Sequence, residues 1–204
     1  GITVVHVVAN TKFAIKCQDA GVDAIVAEGF EAGGHNGREE TTTLCLIPTI
    51  REVCSLPLIA AGGIASGQSI AAVMALGAEG AQIGSLFAAS NESSAHMNFK
   101  TKITELKDGD TELSLKQLTP VRLIKNEFYQ KVKIAEHQCA TSEELQALLG
   151  RGRAKKGMFE GDMIEGELEI GQIASTIRQI KGAAQIMNEL VSDYNNCIQQ
   201  LKPF

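Results

Sequence analysis

The sequence predicts an α/β fold in which about four parallel strands form the C-terminal half of a TIM (β/α)8 barrel, with a helical insert near the C-terminal end. Three observations predict it. Short apolar runs recur at residues 23–27, 57–61 and 80–83, and each leads into glycine. Segments of helical character separate them, such as 67–76, rich in Ala, Ile, Val and Met; strands alternating with helices argue buried parallel strands. The turns Gly62-Gly63 and Gly84-Ser85 follow successive strands.

The elements follow in order. Residues 2–8 read as a first strand. Residues 11–20 carry Phe13, Ala14 and Cys17 at helical spacing, and Gly21 ends that helix. The second strand is 23–27, and a long loop through His35 runs to about 43. A helix is expected over about 48–55, with Pro48 in its first turn. The third strand is 57–61, a helix over 66–76 is closed by Gly77, the fourth strand is 80–83, and a short helix covers 85–89. There the βα pattern stops. A helix over 93–107 precedes a polar connection over 108–118 with strand content at Thr111-Glu112-Leu113-Ser114. Residues 143–149 are helical, with Thr141 or Ser142 as N-cap and a glutamate in the first turn. Residues 150–171 are glycine-rich and charged. Residues 172–180 and 183–201 are helical, the second with Ile186, Met187, Leu190, Val191, Tyr194 and Ile198 on one apolar face. The expected divisions are a barrel half at 1–90, a helical and irregular insert at 91–171, and helices at 172–204 that pack back on the barrel.

Four strands are too few for a closed parallel barrel, which needs eight. Phosphate sites in such barrels lie in the loops after strands 7 and 8, beside the N-terminus of a short helix whose amides bind the anion. The Gly62-Gly63 and Gly84-Ser85 turns fit that description better than a small open sheet does. The last strands are then strands 7 and 8, the chain begins near strand 5, and strands 1 to 4 are expected upstream of Gly1. An N-terminal half-barrel becomes a required partner. The apolar face of the last helix is expected to pack on it or on a second subunit, as in a homodimer.

A net charge of −5 argues against nucleic-acid binding, which demands a basic face. No apolar run approaches the roughly 18 residues needed to span a bilayer. No signal peptide is visible, and the chain opens at Gly1 rather than Met. Cys17, Cys45, Cys54, Cys139 and Cys197 are scattered, in no spacing that suits zinc or a disulfide framework. The expectation is a cytoplasmic protein with reduced thiols, no metal and a small-molecule substrate.

The most informative stretch is Glu31-Ala32-Gly33-Gly34-His35-Asn36-Gly37, where the second strand emerges. Glycines there let the backbone approach a ligand closely, and histidine suits proton transfer near neutral pH. No apolar strand carries a lysine at its C-terminal end, which argues against Schiff-base chemistry.

The runs Ala27-Glu28-Gly29-Phe30-Glu31-Ala32-Gly33-Gly34-His35, Ile59-Ala60-Ala61-Gly62-Gly63-Ile64 and Gly77-Ala78-Glu79-Gly80-Ala81-Gln82-Ile83-Gly84-Ser85-Leu86-Phe87 together closely resemble the nitronate monooxygenase family, formerly called 2-nitropropane dioxygenases, which also contains flavin-dependent enoyl-acyl-carrier-protein reductases. The likeness continues through Glu92–His96, 121–126 and 169–174, so it spans almost the whole chain. The resemblance implies an FMN-binding barrel and a chain without the family's N-terminal part. It implies His35 as the catalytic histidine, near the flavin and the substrate's α-proton. It implies FMN contacts at Glu28, Gly33, Gly34, Gly62, Gly63, Gln82, Ile83, Gly84 and Ser85, with the Ser85 hydroxyl and the amides of Gly63, Gly84 and Ser85 toward the phosphate. Many relatives carry glutamine where Glu28 stands; an ionised glutamate cannot donate a hydrogen bond. His96 either contacts substrate or caps structure, and His6 either points into the barrel or packs.

The first expectation is an FMN-dependent oxidoreductase of the nitronate monooxygenase type, oxidising alkyl nitronates with O2 to a carbonyl compound and nitrite. The alternative is an enoyl-acyl-carrier-protein reductase of fatty-acid synthesis that takes electrons from NAD(P)H through FMN; the departure at Glu28 favours it. A non-redox phosphate-binding barrel module is the third reading, because fold does not fix function.

Overall fold

The structure, a computed structural model, describes residues 1–201. Its centre is a sheet of four parallel strands, β1 (Val5–Val8), β2 (Ala24–Glu28), β4 (Leu58–Ala61) and β5 (Gly80–Gln82), in that spatial order. Between successive strands run α1 (Thr11–Asp19), α2 (Thr43–Val53) and α3 (Gly67–Ala75). This is the partial parallel barrel that the strand and glycine pattern predicts. The core lies between sheet and helices and includes Ile25, Ala27, Leu58 and Ala60 of the strands with Leu46, Ile47, Ile50 and Val73 of the helices. Cys17 and Cys54 pack into it as small apolar side chains.

Local chemistry sets the helix ends. Asn10 Oδ1 accepts the Phe13 N–H at 2.9 Å to start α1, and Ser66 and Ser69 form a reciprocal capping box at α3. α2 differs from expectation. It begins at Thr43, so Pro48 lies inside the helix and not in its first turn. The proline removes one N–H from the ladder, and the residue whose carbonyl loses it, Leu44, is exposed to water. The first strand is also shorter than its apolar run: Ile2 and Val4 precede it and stay exposed.

A second, antiparallel sheet covers the C-terminal end of β2. It contains β3 (Gly34–His35), β7 (Val121–Ile124) and β6 (Thr111–Ser114), with β7 central. Two of these, β3 and β7, are absent from the sequence reading, and β6 and β7 give residues 91–171 strands as well as helices. After β5 come the single-turn α4 (Ser85–Ala88) and α5 (Met97–Glu105), the latter starting four residues later than expected. Next to β7 lie α6 (Glu127–His137), in a stretch to which the sequence reading assigns no element, and α7 (Ser142–Leu149), capped by the Thr141–Glu144 box. Residues 172–180 hold only a 3-10 turn, Gln172–Thr176, instead of a helix. The last helix, α8 (Ala183–Gln200), crosses α3 so closely that a Cβ on Gly67 would sit 2.0 Å from the Tyr194 nitrogen. Among the described residues no helix is long and apolar enough to cross a membrane.

Candidate active site

The C-terminal ends of β2, β4 and β5 open onto one cleft of about 230 Å³. Of the residues singled out in the sequence, Glu28, Gly33, Gly62, Gly63, Gln82, Gly84 and Ser85 line it. Ile83 does not. Side chains alternate along a strand, so Gln82 faces the cleft and Ile83 turns to the opposite side, among Ile70, Phe87 and Leu190. Gly34 and His35 sit in β3 beside the cleft, Gly34 buried and His35 exposed. His6 is exposed on the edge strand β1, and His96 Nδ1 accepts the Asn98 N–H at 3.1 Å as the cap of α5.

The turn after β4 requires its glycines. Gly62 and Gly63 both have left-handed backbone, with φ of 93° and 70°, and a Cβ on Gly62 would lie 2.7 Å from the Gly29 oxygen. The turn therefore packs directly on the backbone that leaves β2. Among the described residues the main-chain N–H groups of Gly63 and Gly84 have no acceptor. Ser85 Oγ accepts the Gly171 N–H at 3.1 Å, which leaves its own proton free to donate.

Several participants were not evident from the sequence. Glu31 caps α2 from a distance: its carboxylate oxygens accept the Thr43 N–H at 3.1 and 2.9 Å and the Thr43 hydroxyl at 3.0 Å. The run Thr41-Thr42-Thr43 before an apolar stretch was the available signal for a helix start there. Arg122, only 2% exposed, donates from Nε and Nη2 to the Phe30 oxygen at 3.1 and 2.8 Å and lies 4.9 Å from the centre of the Phe30 ring. It holds the glycine loop from behind. Glu169, Ile170 and Gly171 form one wall of the cleft. Burial pushes the carboxyls of Glu28 and Glu169 above the ordinary range, the charge of His35 partly opposing this at Glu169. Burial also raises Glu167, aided by the charge of Glu169, to about 7.

The cleft lies at the carboxyl ends of parallel strands, where barrel enzymes carry their sites, and residues 1–193 match the family model described as Nitronate monooxygenase. The chain belongs to the nitronate monooxygenase family. Similar relatives include a probable nitronate monooxygenase of Staphylococcus saprophyticus, 31% identical over 92% of this chain and 55% of the relative. Another from Bacillus subtilis is 29% identical over 95% of this chain and 58% of the relative. Among solved structures, FabK from Thermotoga maritima superposes with a TM-score of 0.92 at 35% identity, covering 98% of this chain and 63% of that one. A nitroalkane oxidase from Streptomyces ansochromogenes superposes at 0.80 with 27% identity, covering 97% and 59%. The chain thus spans somewhat more than half the length of these nitronate monooxygenase-family relatives.

Proposed function

We propose that this chain carries the FMN site of an oxidoreductase that converts alkyl nitronates with O2 to a carbonyl compound and nitrite. One observation carries the reading: the two glycine turns and Ser85 converge on a single cleft with hydrogen-bond donors to spare. These residues fit FMN. The amides of Gly63 and Gly84 and the Ser85 hydroxyl would hold the phosphate, and Gln82, Glu28 and the backbone at Gly33 would border the rest of the cofactor. When bound, FMN supplies the electron transfer. The protein orients substrate, excludes water with Ile64, Ile170 and Ile173, and moves a proton near His35, Gly34 of the same strand helping to fix its position. Both edges of the four-stranded sheet are open, and Val5 and Val7 on β1 are exposed; further strands of the assembled barrel would cover them.

The second reading, an enoyl-thioester reductase fed by NAD(P)H, is favoured by Glu28. A carboxyl raised by burial stays protonated to higher pH and then donates a hydrogen bond where an ionised one cannot. Titration of the purified protein with FMN, followed by quenching of flavin fluorescence, tests the shared part of both readings. Saturable binding that weakens in Ser85→Ala is expected. No binding by the assembled barrel, N-terminal half included, would leave the non-redox phosphate module as the better account.

A further inference from the structure

We infer that Thr43 is a positioning residue of this site: its hydroxyl holds the carbonyl of Gly62 and thereby aims the Gly63 N–H into the cleft, where a phosphate would accept it. The inference rests on the reading of the Gly62-Gly63 turn as part of a phosphate site. It adds a residue that is not itself part of the cleft wall.

Thr43 is the first residue of α2, yet its side chain is turned inward and the residue is only 5% exposed. Capping falls to other groups. Thr42, the residue before the helix, makes no side-chain cap bond, and the Glu31 carboxylate takes the Thr43 N–H instead. The Thr43 hydroxyl is free to enter the space between the ends of β2 and β4, and two glycines make that space. A Cβ on Gly29 would lie 2.1 Å from Thr43 Oγ1, and one on Gly62 would lie 3.0 Å from it. Three acceptors stand within reach of this one hydroxyl: Gly62 O at 2.9 Å, Glu31 Oε2 at 3.0 Å and Ala61 O at 3.1 Å.

A hydroxyl has one proton to give, and the surroundings decide where it goes. Ala61 O already accepts the Gly29 N–H at 2.9 Å. The Glu31 carboxylate already accepts the Thr43 N–H. Gly62 O has no other donor among the described residues, and a carbonyl left unpaired away from water is costly. The proton therefore belongs to Gly62 O. That carbonyl and the Gly63 N–H are the two ends of one peptide unit. The unit is planar and trans, so its C=O and N–H point in opposite directions. Holding the carbonyl toward Thr43 turns the N–H the other way, and it has no acceptor of its own. A Gly-Gly peptide needs such a hold, because no flanking Cβ resists its rotation. Donation to the C=O also polarises the peptide and strengthens its N–H as a donor.

Two measurements on the assembled barrel, N-terminal half included, test this. The first titrates FMN and riboflavin, which differ by the phosphate, and reads the ratio of their dissociation constants. Thr43→Val keeps the shape of the side chain and removes the hydroxyl. It should weaken FMN binding about tenfold and leave riboflavin binding unchanged, and Thr43→Ser should restore the wild-type ratio. Thr43→Ala, which adds no bulk, carries the same expectation as Thr43→Val. Equal loss of both flavins makes Thr43 a general support of the fold and overturns the assignment, as does an unchanged ratio. The second measurement needs no flavin: amide relaxation dispersion, which detects microsecond-to-millisecond exchange. The Gly63 amide should show exchange in Thr43→Val and none in the wild type or in Thr43→Ser. The same behaviour in all three proteins overturns the hold on the peptide. Wild-type protein that binds neither flavin contradicts the function proposed above, and the dispersion measurement still decides what Thr43 does to the turn.

Discussion

The buried N–H of Gly171 donates to Ser85 Oγ at 3.1 Å across 86 residues of sequence. This bond ties the turn after β5 to the segment that walls the cleft. Replacing Ser85 by alanine orphans a buried N–H, which costs about 1–3 kcal/mol, and removes a phosphate donor. The expected result is a lower melting temperature and weaker FMN binding, by about tenfold for each 1.4 kcal/mol lost. Ser85→Thr keeps the hydroxyl and should retain most of both. Unchanged flavin affinity in Ser85→Ala would remove this hydroxyl from the site.

Gly62→Ala should be more damaging than its size suggests. Its φ of 93° and the 2.7 Å approach of the Gly29 oxygen leave no place for a methyl group. A loss of about 1–3 kcal/mol from backbone strain is expected, read by urea unfolding, and a variant as stable as the wild type would show that the turn relaxes freely.

Arg122→Lys tests how the glycine loop is held. The guanidinium donates twice to one carbonyl and stacks on Phe30, which an ammonium cannot reproduce. Loss of about 2–3 kcal/mol is expected, with FMN affinity falling as well because the loop carries Gly33. Full stability in the lysine variant would contradict this role.

Glu167 predicts a pH dependence of stability. Its carboxyl is raised from 4.5 to about 7 in the folded state, chiefly by burial. Between those values the native state binds more protons than the unfolded one, so stability falls as pH rises. The contribution is complete below about pH 4.5 and is lost by about pH 7, to the extent of about 3 kcal/mol. Glu112 and Asp162, both lowered to about 2 by hydrogen bonds, act in the opposite direction in acid. Glu167→Gln isolates the term: it should be more stable than the wild type at pH 8 and show little difference at pH 4.5. Parallel stability curves for the two proteins would exclude it.

The four parallel strands and the helices between them were legible because each is encoded locally, by an apolar run, a cap such as Ser66, and a stop such as Gly77. Most of the glycine-turn residues were legible for the same reason. β3 and β7 were not. Gly34-His35 is too short to show alternation, and Val121-Arg122-Leu123-Ile124 becomes a strand by pairing on one side with the neighbouring β6 and on the other with β3, far away in sequence. Arg122 reads as an exposed charge until the Phe30 oxygen is in place. Pro48 misled the placement of α2 because the true cap, Glu31, lies 12 residues before Thr43. Glu169 was legible only as the start of the 169–174 likeness, because the cleft wall it forms exists only once β7 has aligned residues 168–169 with β3.

The central claim is that this cleft binds a flavin which a nitronate reduces. The most direct test is the visible absorbance spectrum of the FMN-loaded protein without oxygen, first with NADPH and then with ethyl nitronate. The account predicts no change with NADPH and bleaching of the flavin band with nitronate, reversed by air with release of nitrite. Bleaching by NADPH alone, with no response to nitronate, would contradict it and establish the reductase reading instead.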